Sequence, residues 1–194
     1  MDSLSVLAMA AAAAPRSQVP HSVPNFSIRK ARSEDIPLLG PVERSAAEIF
    51  RTVNLGSLAD DETTVAPSIL ATMADSNHLL VAVNESDQPI GFVGGMNIDG
   101  NFHIVEISVA QAVQGKGVGS ALMAEMTRQV KEEKFMVMTL TTYRNVAWNG
   151  PWYKKLGFQE VTAEEMGKEY LKIWDVESQH GHDMASRCVM RKSL

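Results

Sequence analysis

The sequence predicts a mixed α/β fold whose first half is an antiparallel sheet. Three observations predict it. Apolar residues alternate with period two in several short runs, and recur at helical spacing in the stretches between them. Three strand-like runs follow one another through tight turns across residues 78–109, the pattern of an antiparallel meander. The chain has 194 residues, 45% hydrophobic and 21% charged, which suffices to bury one sizeable core in a single domain.

Each element has its own signal. "FSIRKA" (26–31) alternates apolar and polar and reads as a strand. "RSED" then offers Ser33 as a helix N-cap, Pro37 fits a first turn, and Leu38, Leu39, Val42, Ala46, Ile49 and Phe50 follow at helical spacing. "TVNLGSLADDETTVAPS" (52–68) reads as a polar, irregular connection into the helical "SILATMADS". "HLLVAV" (78–83) is a strand and "NESDQP" supplies turn chemistry. "IGFVGGMNI" (90–98) and "FHIVEISV" (102–109) form a pair around the hairpin residues Asp99 and Gly100. "SALMAEMTRQVKEEK" places Leu122, Met123, Met126 and Val130 on one helical face. The continuous apolar run "FMVMTLTTY" (135–143) is a central strand. In "WNGPWYKKLGF", Asn149 is positioned as N-cap, Pro151 near the start, and Gly157 closes a short helix. A last helix spans residues 164–181, and "SRCVMRK" (186–192) is the terminal strand.

Composition narrows the function classes. The net charge is −5 and no Lys/Arg-rich block occurs, so nothing recruits nucleic acid or an anionic membrane. No run reaches the roughly 18 to 20 apolar residues of a spanning helix. The single cysteine, Cys188, excludes an internal disulfide and a Cys-rich zinc site, and its apolar alternating surroundings make it a core residue in a reducing compartment, the cytoplasm. Residues 1–24 read as a flexible Ala/Pro-containing extension, since Asp2 precedes its apolar run and Arg16 is its one basic residue; residues 25–194 form the domain.

The most informative stretch is Gln114-Gly115-Lys116-Gly117-Val118-Gly119, between a strand and a helix. Glycine costs conformational entropy, so three at alternate positions imply a backbone that other residues cannot supply. Successive N–H groups running into a helix N-terminus cradle phosphate. A nucleotide P-loop fails here, because Lys116 is followed by Gly117 rather than a hydroxyl residue. The dinucleotide fingerprint fails too, because the spacing is Gly-x-Gly-x-Gly and an antiparallel meander precedes it.

The third pattern, Gln/Arg-x-x-Gly-x-Gly/Ala at a strand–helix junction, fits, and here the chain resembles the GCN5-related N-acetyltransferase (GNAT) superfamily. "ISV" ends five residues before Gln114, the element order from Phe26 to Leu194 matches, and Tyr153 stands four residues before Gly157-Phe158 as in that family's later motif. The resemblance implies a central, mostly antiparallel sheet of about six to seven strands flanked by helices, splayed between strands 4 and 5. It implies acetyl-CoA as cosubstrate, no metal, and transfer of acetyl to a primary amine of a small molecule in a ternary complex. Alternatives are a protein or peptide N-acetyltransferase and a non-catalytic acyl-CoA-binding module. The protein is expected to be a monomer or a homodimer.

The same resemblance assigns residues. Ile107, Ser108 and Val109, with Gln114, Gly115, Lys116, Gly117, Val118, Gly119 and Ser120, would hold the cofactor, the backbone N–H of Val109 polarising the thioester carbonyl. Tyr153 would protonate the leaving thiolate, and Asn149 would bond the pantetheine arm or cap its helix. Glu106 and His103 are the two candidates for the base that deprotonates the amine. Strand alternation puts His103 with Val105 on one face and Glu106 with Ser108 on the other, so both can serve only if a bulge intervenes. The acceptor would enter past Asp60, Asp61 and Glu62 and past His180, His182 and Asp183. The acidic run reads as a solvated loop, and spacing alone does not make the second group a metal site. Trp148, Trp152 and Trp174 read as core.

Overall fold

The structure, a computed structural model, describes residues 25–162, 165, 167–179 and 183–194. The extension 1–24, and with it His180 and His182, lies outside the described residues. In chain order the elements are β1 (Ser27–Lys30), α1 (Ile36–Ala47), α2 (Gly56–Asp60), α3 (Pro67–Asp75), β2 (Leu79–Val83), β3 (Pro89–Ile98) and β4 (Asn101–Val109). Then follow α4 (Val118–Glu132), β5 (Val137–Tyr143), α5 (Gly150–Lys155), β6 (Gln159–Val161), α6 (Lys168–Gln179) and β7 (Arg187–Ser193).

The seven strands make one sheet in the order β1-β2-β3-β4-β5-β7-β6. Every neighbouring pair is antiparallel except β4 with β5. That parallel pair is registered only at Phe102–Met138 and His103–Thr139, near the start of each strand, after which the two part. The sheet is thus splayed where the resemblance placed the splay. The hairpin at Asp99 and Gly100 has positive φ at both residues (52° and 78°), the two-residue turn its sequence called for.

Each face of the sheet has its own core. Leu122, Met126 and Val130 of α4 pack with Leu80, Val93, Phe102, Ile104, Ile107, Met138 and Leu140. Leu39 and Val42 of α1 and Leu70 and Met73 of α3 pack with Leu79, Val81, Phe92 and Val105 on the other face. Cys188 is buried in the α4-side core, where burial pushes its thiol up to about 11.

Four local expectations are corrected. The residue at the N-cap of α1 is Asp35, not Ser33, and no side chain caps the helix. Asp35 instead accepts the Arg32 N–H (2.7 Å) and pairs with Arg29 (2.6 Å), tying β1 to the helix start. Residues 52–68 are not wholly irregular: α1 continues into a 3-10 turn, Glu48–Val53, and α2 follows. The strand β6 went unforeseen, being only three residues long and largely exposed. Asn149 stands at the N-cap of α5 but makes no side-chain cap hydrogen bond.

One buried acid ties α1 to the connection before α3. Both carboxylate oxygens of Glu43, which is 1% exposed, accept the Val65 N–H (3.2 and 3.1 Å). Burial pushes its pKa up to about 7, against the lowering effects of the Val65 N–H and Arg44. A carboxyl raised from its ordinary 4.5 contributes stability fully below 4.5 and loses it as pH rises through about 7. Relative to Glu43→Gln, the wild type is therefore expected to lose denaturant resistance across that window, as paired urea titrations at successive pH values would show.

Candidate active site

The glycine turn takes the backbone its sequence demanded. Gly115 and Gly117 have φ of 73° and 89°, in the left-handed region, and Gly117 is the N-cap of α4. The first helical bond inside α4 is Ala121 N–H to Gly117 O (3.0 Å), so the amides of Val118, Gly119 and Ser120 remain as first-turn donors. A Cβ built on Gly117 meets nothing within 4 Å, so space lies open in front of these donors. Gln114 braces the turn: its Nε2 donates to the carbonyls of Val109 (2.9 Å) and Ala46 (3.1 Å), fastening the loop to the end of β4 and to α1. Lys116 reaches back to the Ala112 carbonyl (3.0 Å).

The end of β4 presents its backbone toward the splay. Gly91 faces Val109 in the register, and Ala110 N–H bonds the Ile90 carbonyl (2.9 Å). That pattern makes Gly91–Val109 a non-hydrogen-bonded pair, so the N–H and C=O of Val109 turn away from β3. Its carbonyl is taken by Gln114, and its N–H points into the side where β4 and β5 have separated.

The bulge that the two base candidates required is present. Gly94 pairs with Glu106 and Gly95 with Ile104, leaving Val105 as the extra residue on β4. Phe102, Ile104, Ile107 and Val109 all join the α4-side core, so the alternation slips by one between 104 and 107. His103, Val105, Glu106 and Ser108 therefore share the α1/α3 side. The simple alternation that separated His103 from Glu106 is corrected by this slip. Gly95 permits it by close approach: a Cβ there would lie 2.5 Å from the His103 carbonyl and 2.5 Å from the Phe102 ring.

On that face the polar groups are buried. Glu106 and Ser108 are fully buried, and the Ser108 hydroxyl donates to Glu106 Oε1 (2.8 Å). His103 is fully buried, its Nδ1 is 3.1 Å from Thr139 Oγ1, and its Nε2 has no partner among the described residues. Burial pushes the imidazole down to about 4. A base so depressed contributes stability above its ordinary 6.5 and loses it as pH falls through 4. An NMR titration of the ring protons is expected to find His103 neutral down to about pH 5.

Tyr153 approaches from α5. It is fully buried, packed edge-on against Trp152 (4.9 Å) and Phe158 (5.5 Å), and its hydroxyl has no partner among the described residues. Burial, then the charge of Glu106, push its pKa well above the ordinary value, with Arg187 opposing. The phenol therefore keeps its proton.

Sequence reasoning missed a further group. Arg187, at the start of β7, is fully buried and pairs with Glu177 of α6 (2.9 and 3.1 Å). Thr141 joins them, and the guanidinium lies 4.8 Å from the Tyr143 ring centroid. This pair clamps α6 onto β5 and β7. The available signal was Thr139 and Thr141 at alternate positions of an apolar run, a polar stripe on one face of a central strand. The acidic run is solvated: Asp60 pairs with Arg51 (2.8 Å), Asp61 accepts the Thr63 N–H (2.8 Å), and Glu62 is exposed. Asp183 is exposed and accepts the Ala185 N–H (3.1 Å). Trp148 and Trp152 are buried and Trp174 half-buried. Among the described residues no helix is long and apolar enough to cross a membrane.

Solved proteins of this fold include acetyltransferases. Residues 75–160, from the end of α3 through β6, match the family model described as the acetyltransferase (GNAT) domain. The fold is similar to that of PaiA N-acetyltransferase from Thermoplasma acidophilum in complex with coenzyme A (18% identity, 88% of this chain and 99% of that chain, TM-score 0.63). N-acetylglutamate synthase from Neisseria gonorrhoeae, complexed with coenzyme A and N-acetyl-glutamate, is 16% identical over 88% of this chain and 35% of its own, with TM-score 0.65. The ribosomal-protein-alanine N-acetyltransferase from Brucella melitensis is 22% identical over 87% of this chain and 99% of its own, with TM-score 0.60. The splayed sheet and the glycine turn thus lie within a segment, residues 75–160, that matches the acetyltransferase (GNAT) domain model, and the fold around it is that of the solved acetyltransferases above.

Proposed function

We propose that this protein transfers acetyl from acetyl-CoA directly to the primary amine of a small molecule, in the opening between β4 and β5. The observation that supports this reading is that the fully buried Tyr153 hydroxyl of α5, without a partner among the described residues, feels the charge of fully buried Glu106 on β4, beyond the point where β4 and β5 part. The amides of residues 115–120 hold the pyrophosphate, with Lys116 adding positive charge. Ile107, Ser108 and Asn149 line the pantetheine path. The Val109 N–H polarises the thioester carbonyl, a fixed dipole typically worth ~3 kcal/mol at the oxyanion.

The amine nitrogen attacks the carbonyl carbon, a C–N bond forms and the C–S bond breaks. Glu106 receives the amine proton, directly or through water, and Tyr153 gives its proton to the departing thiolate. Glu106 is preferred over His103 because burial keeps the imidazole a weak base. This assignment fails if both single alanine variants keep wild-type kcat/KM across pH. A small acceptor is favoured over a peptide because α6 lies across β5 and β7, where Tyr170 contacts Thr139 and Glu177 contacts Thr141 and Arg187.

The test is coenzyme A release from purified protein and acetyl-CoA against polyamines, arylalkylamines, aminoglycosides, amino acids and short peptides, with the acetylated product identified by mass spectrometry. Turnover on one small-amine class supports the reading. Turnover confined to peptides replaces it with protein acetylation, and tight cofactor binding without turnover replaces it with a binding module. Gly117→Glu is expected to raise KM for acetyl-CoA at least ~10-fold, because a carboxylate would enter the open space before the anion-binding amides.

A further inference from the structure

Where β4 leaves β5, its last backbone groups lose the partners that a continuous sheet would give them. The two strands are registered only at Phe102–Met138 and His103–Thr139. Further along β4, buried Val109 turns both its N–H and its C=O toward the gap, because the Ala110 N–H to Ile90 carbonyl bond makes Gly91–Val109 a non-hydrogen-bonded pair on the β3 side. A buried carbonyl left bare would cost about as much as a lost hydrogen bond.

Gln114 supplies what β5 no longer does. The 3-10 turn Gln111–Val113 folds the chain back after β4 and brings the Gln114 side chain beside Val109. Its Nε2 donates to the Val109 carbonyl (2.9 Å) and to the carbonyl of Ala46 in the last turn of α1 (3.1 Å). A second bond joins α1 to the same loop in the opposite sense, from the Gln111 N–H to Ser45 Oγ (3.1 Å). Carbonyls only accept, so the nitrogen of the carboxamide must face them, and its two protons are both taken. The side chain therefore has no proton left for a phosphate, although it stands at the head of the glycine turn. Of the two Val109 groups that face the gap, the carbonyl is closed and the N–H stays available.

We propose that Gln114 is a positioning residue for the oxyanion donor: it stands in for the β5 backbone at the Val109 carbonyl, ties the end of β4 to α1, and so keeps the Val109 N–H aimed into the opening. The proposal rests on the acetyl-transfer reading above, in which that N–H polarises the thioester. A dipole stabilises a developing oxyanion only if it is fixed beforehand, so the tether acts on the transition state. Binding of the cofactor stays with the backbone amides that follow Gln114 in the turn.

The test uses the intact protein, two substitutions and one exchange measurement. Gln114→Leu keeps the bulk and removes both donors. It is expected to lower kcat ~30-fold, with the dissociation constant for coenzyme A, read by calorimetry, within ~3-fold of the wild type. Gln114→Arg, whose planar head can donate to both carbonyls, is expected to bring kcat back to within ~5-fold. In the free wild type, NMR on labelled protein is expected to find both Gln114 Nε2 protons exchanging slowly before any coenzyme A is added. Slow exchange that appears only with coenzyme A overturns the proposal, because it marks a contact with the cofactor. So does a Gln114→Leu protein with wild-type kcat, whatever its coenzyme A affinity, or a Gln114→Arg protein as slow as Gln114→Leu. A wild type that turns over no amine overturns the parent reading instead, and the exchange measurement on the free protein still decides whether the tether is there.

Discussion

Tyr153→Phe is expected to lower kcat by ~10²–10³-fold while leaving the fold and cofactor affinity intact, the usual scale for losing a positioned general acid. The structure makes this an unusually clean substitution. The hydroxyl is fully buried with no partner among the described residues, so deleting it removes no hydrogen bond from the folded protein. Burying such a group costs free energy, and thermal stability is expected to be unchanged or slightly higher in the variant. The ring contacts with Trp152 and Phe158 survive. A phenylalanine enzyme with full activity would show that Tyr153 merely packs α5 against the sheet. Since burial holds the phenol well above its ordinary pKa, the wild-type kcat should also show no loss from tyrosine ionisation up to about pH 10.

Gly95→Ala is expected to destabilise the protein by at least ~3 kcal/mol, beyond the usual range for over-packing, and to lower kcat/KM by ~10²-fold in whatever folded fraction remains. The added methyl would meet a backbone carbonyl and a core ring, neither of which can swing aside as a flexible side chain would. The cheapest relief is to shift the β3–β4 register, and that removes the bulge at Val105. Without it, His103 and Glu106 return to opposite faces. Gly94→Ala is the control. Its methyl meets the end of Met73 and a Leu79 methyl, which can adjust, so the loss should be smaller. Comparing urea midpoints and kcat/KM of the two variants separates the bulge from general crowding.

Much of this architecture was legible because local periodicity and turn chemistry decide it. The meander, the buried run of β5 and the amphipathic α4 are stated by residue spacing alone, and the glycine turn by its φ requirement. What escaped was set by tertiary fit. The bulge depends on Phe102 lying over Gly95, two residues on different strands, and no single-strand alternation encodes that. Ser33 and Asp35 are both competent caps by type; Asp35 holds its place because Arg29, on β1, pairs with it across a turn. Of the candidate site residues, Gln114, Tyr153, Glu106 and His103 could be singled out by type and position. The contacts of Tyr170 with Thr139 beside His103, and of Glu177 with Arg187, required α6 to be placed over the sheet.

The measurement that tests direct transfer most plainly is a set of initial rates with acetyl-CoA and the amine both varied, alongside the intact mass of the enzyme after acetyl-CoA alone. Transfer inside one ternary complex at the β4–β5 opening predicts intersecting reciprocal plots and an enzyme mass without added acetyl. Parallel plots with an acetylated enzyme would contradict it, because they require a covalent nucleophile. Buried, high-pKa Cys188 in the α4-side core is not built to be one.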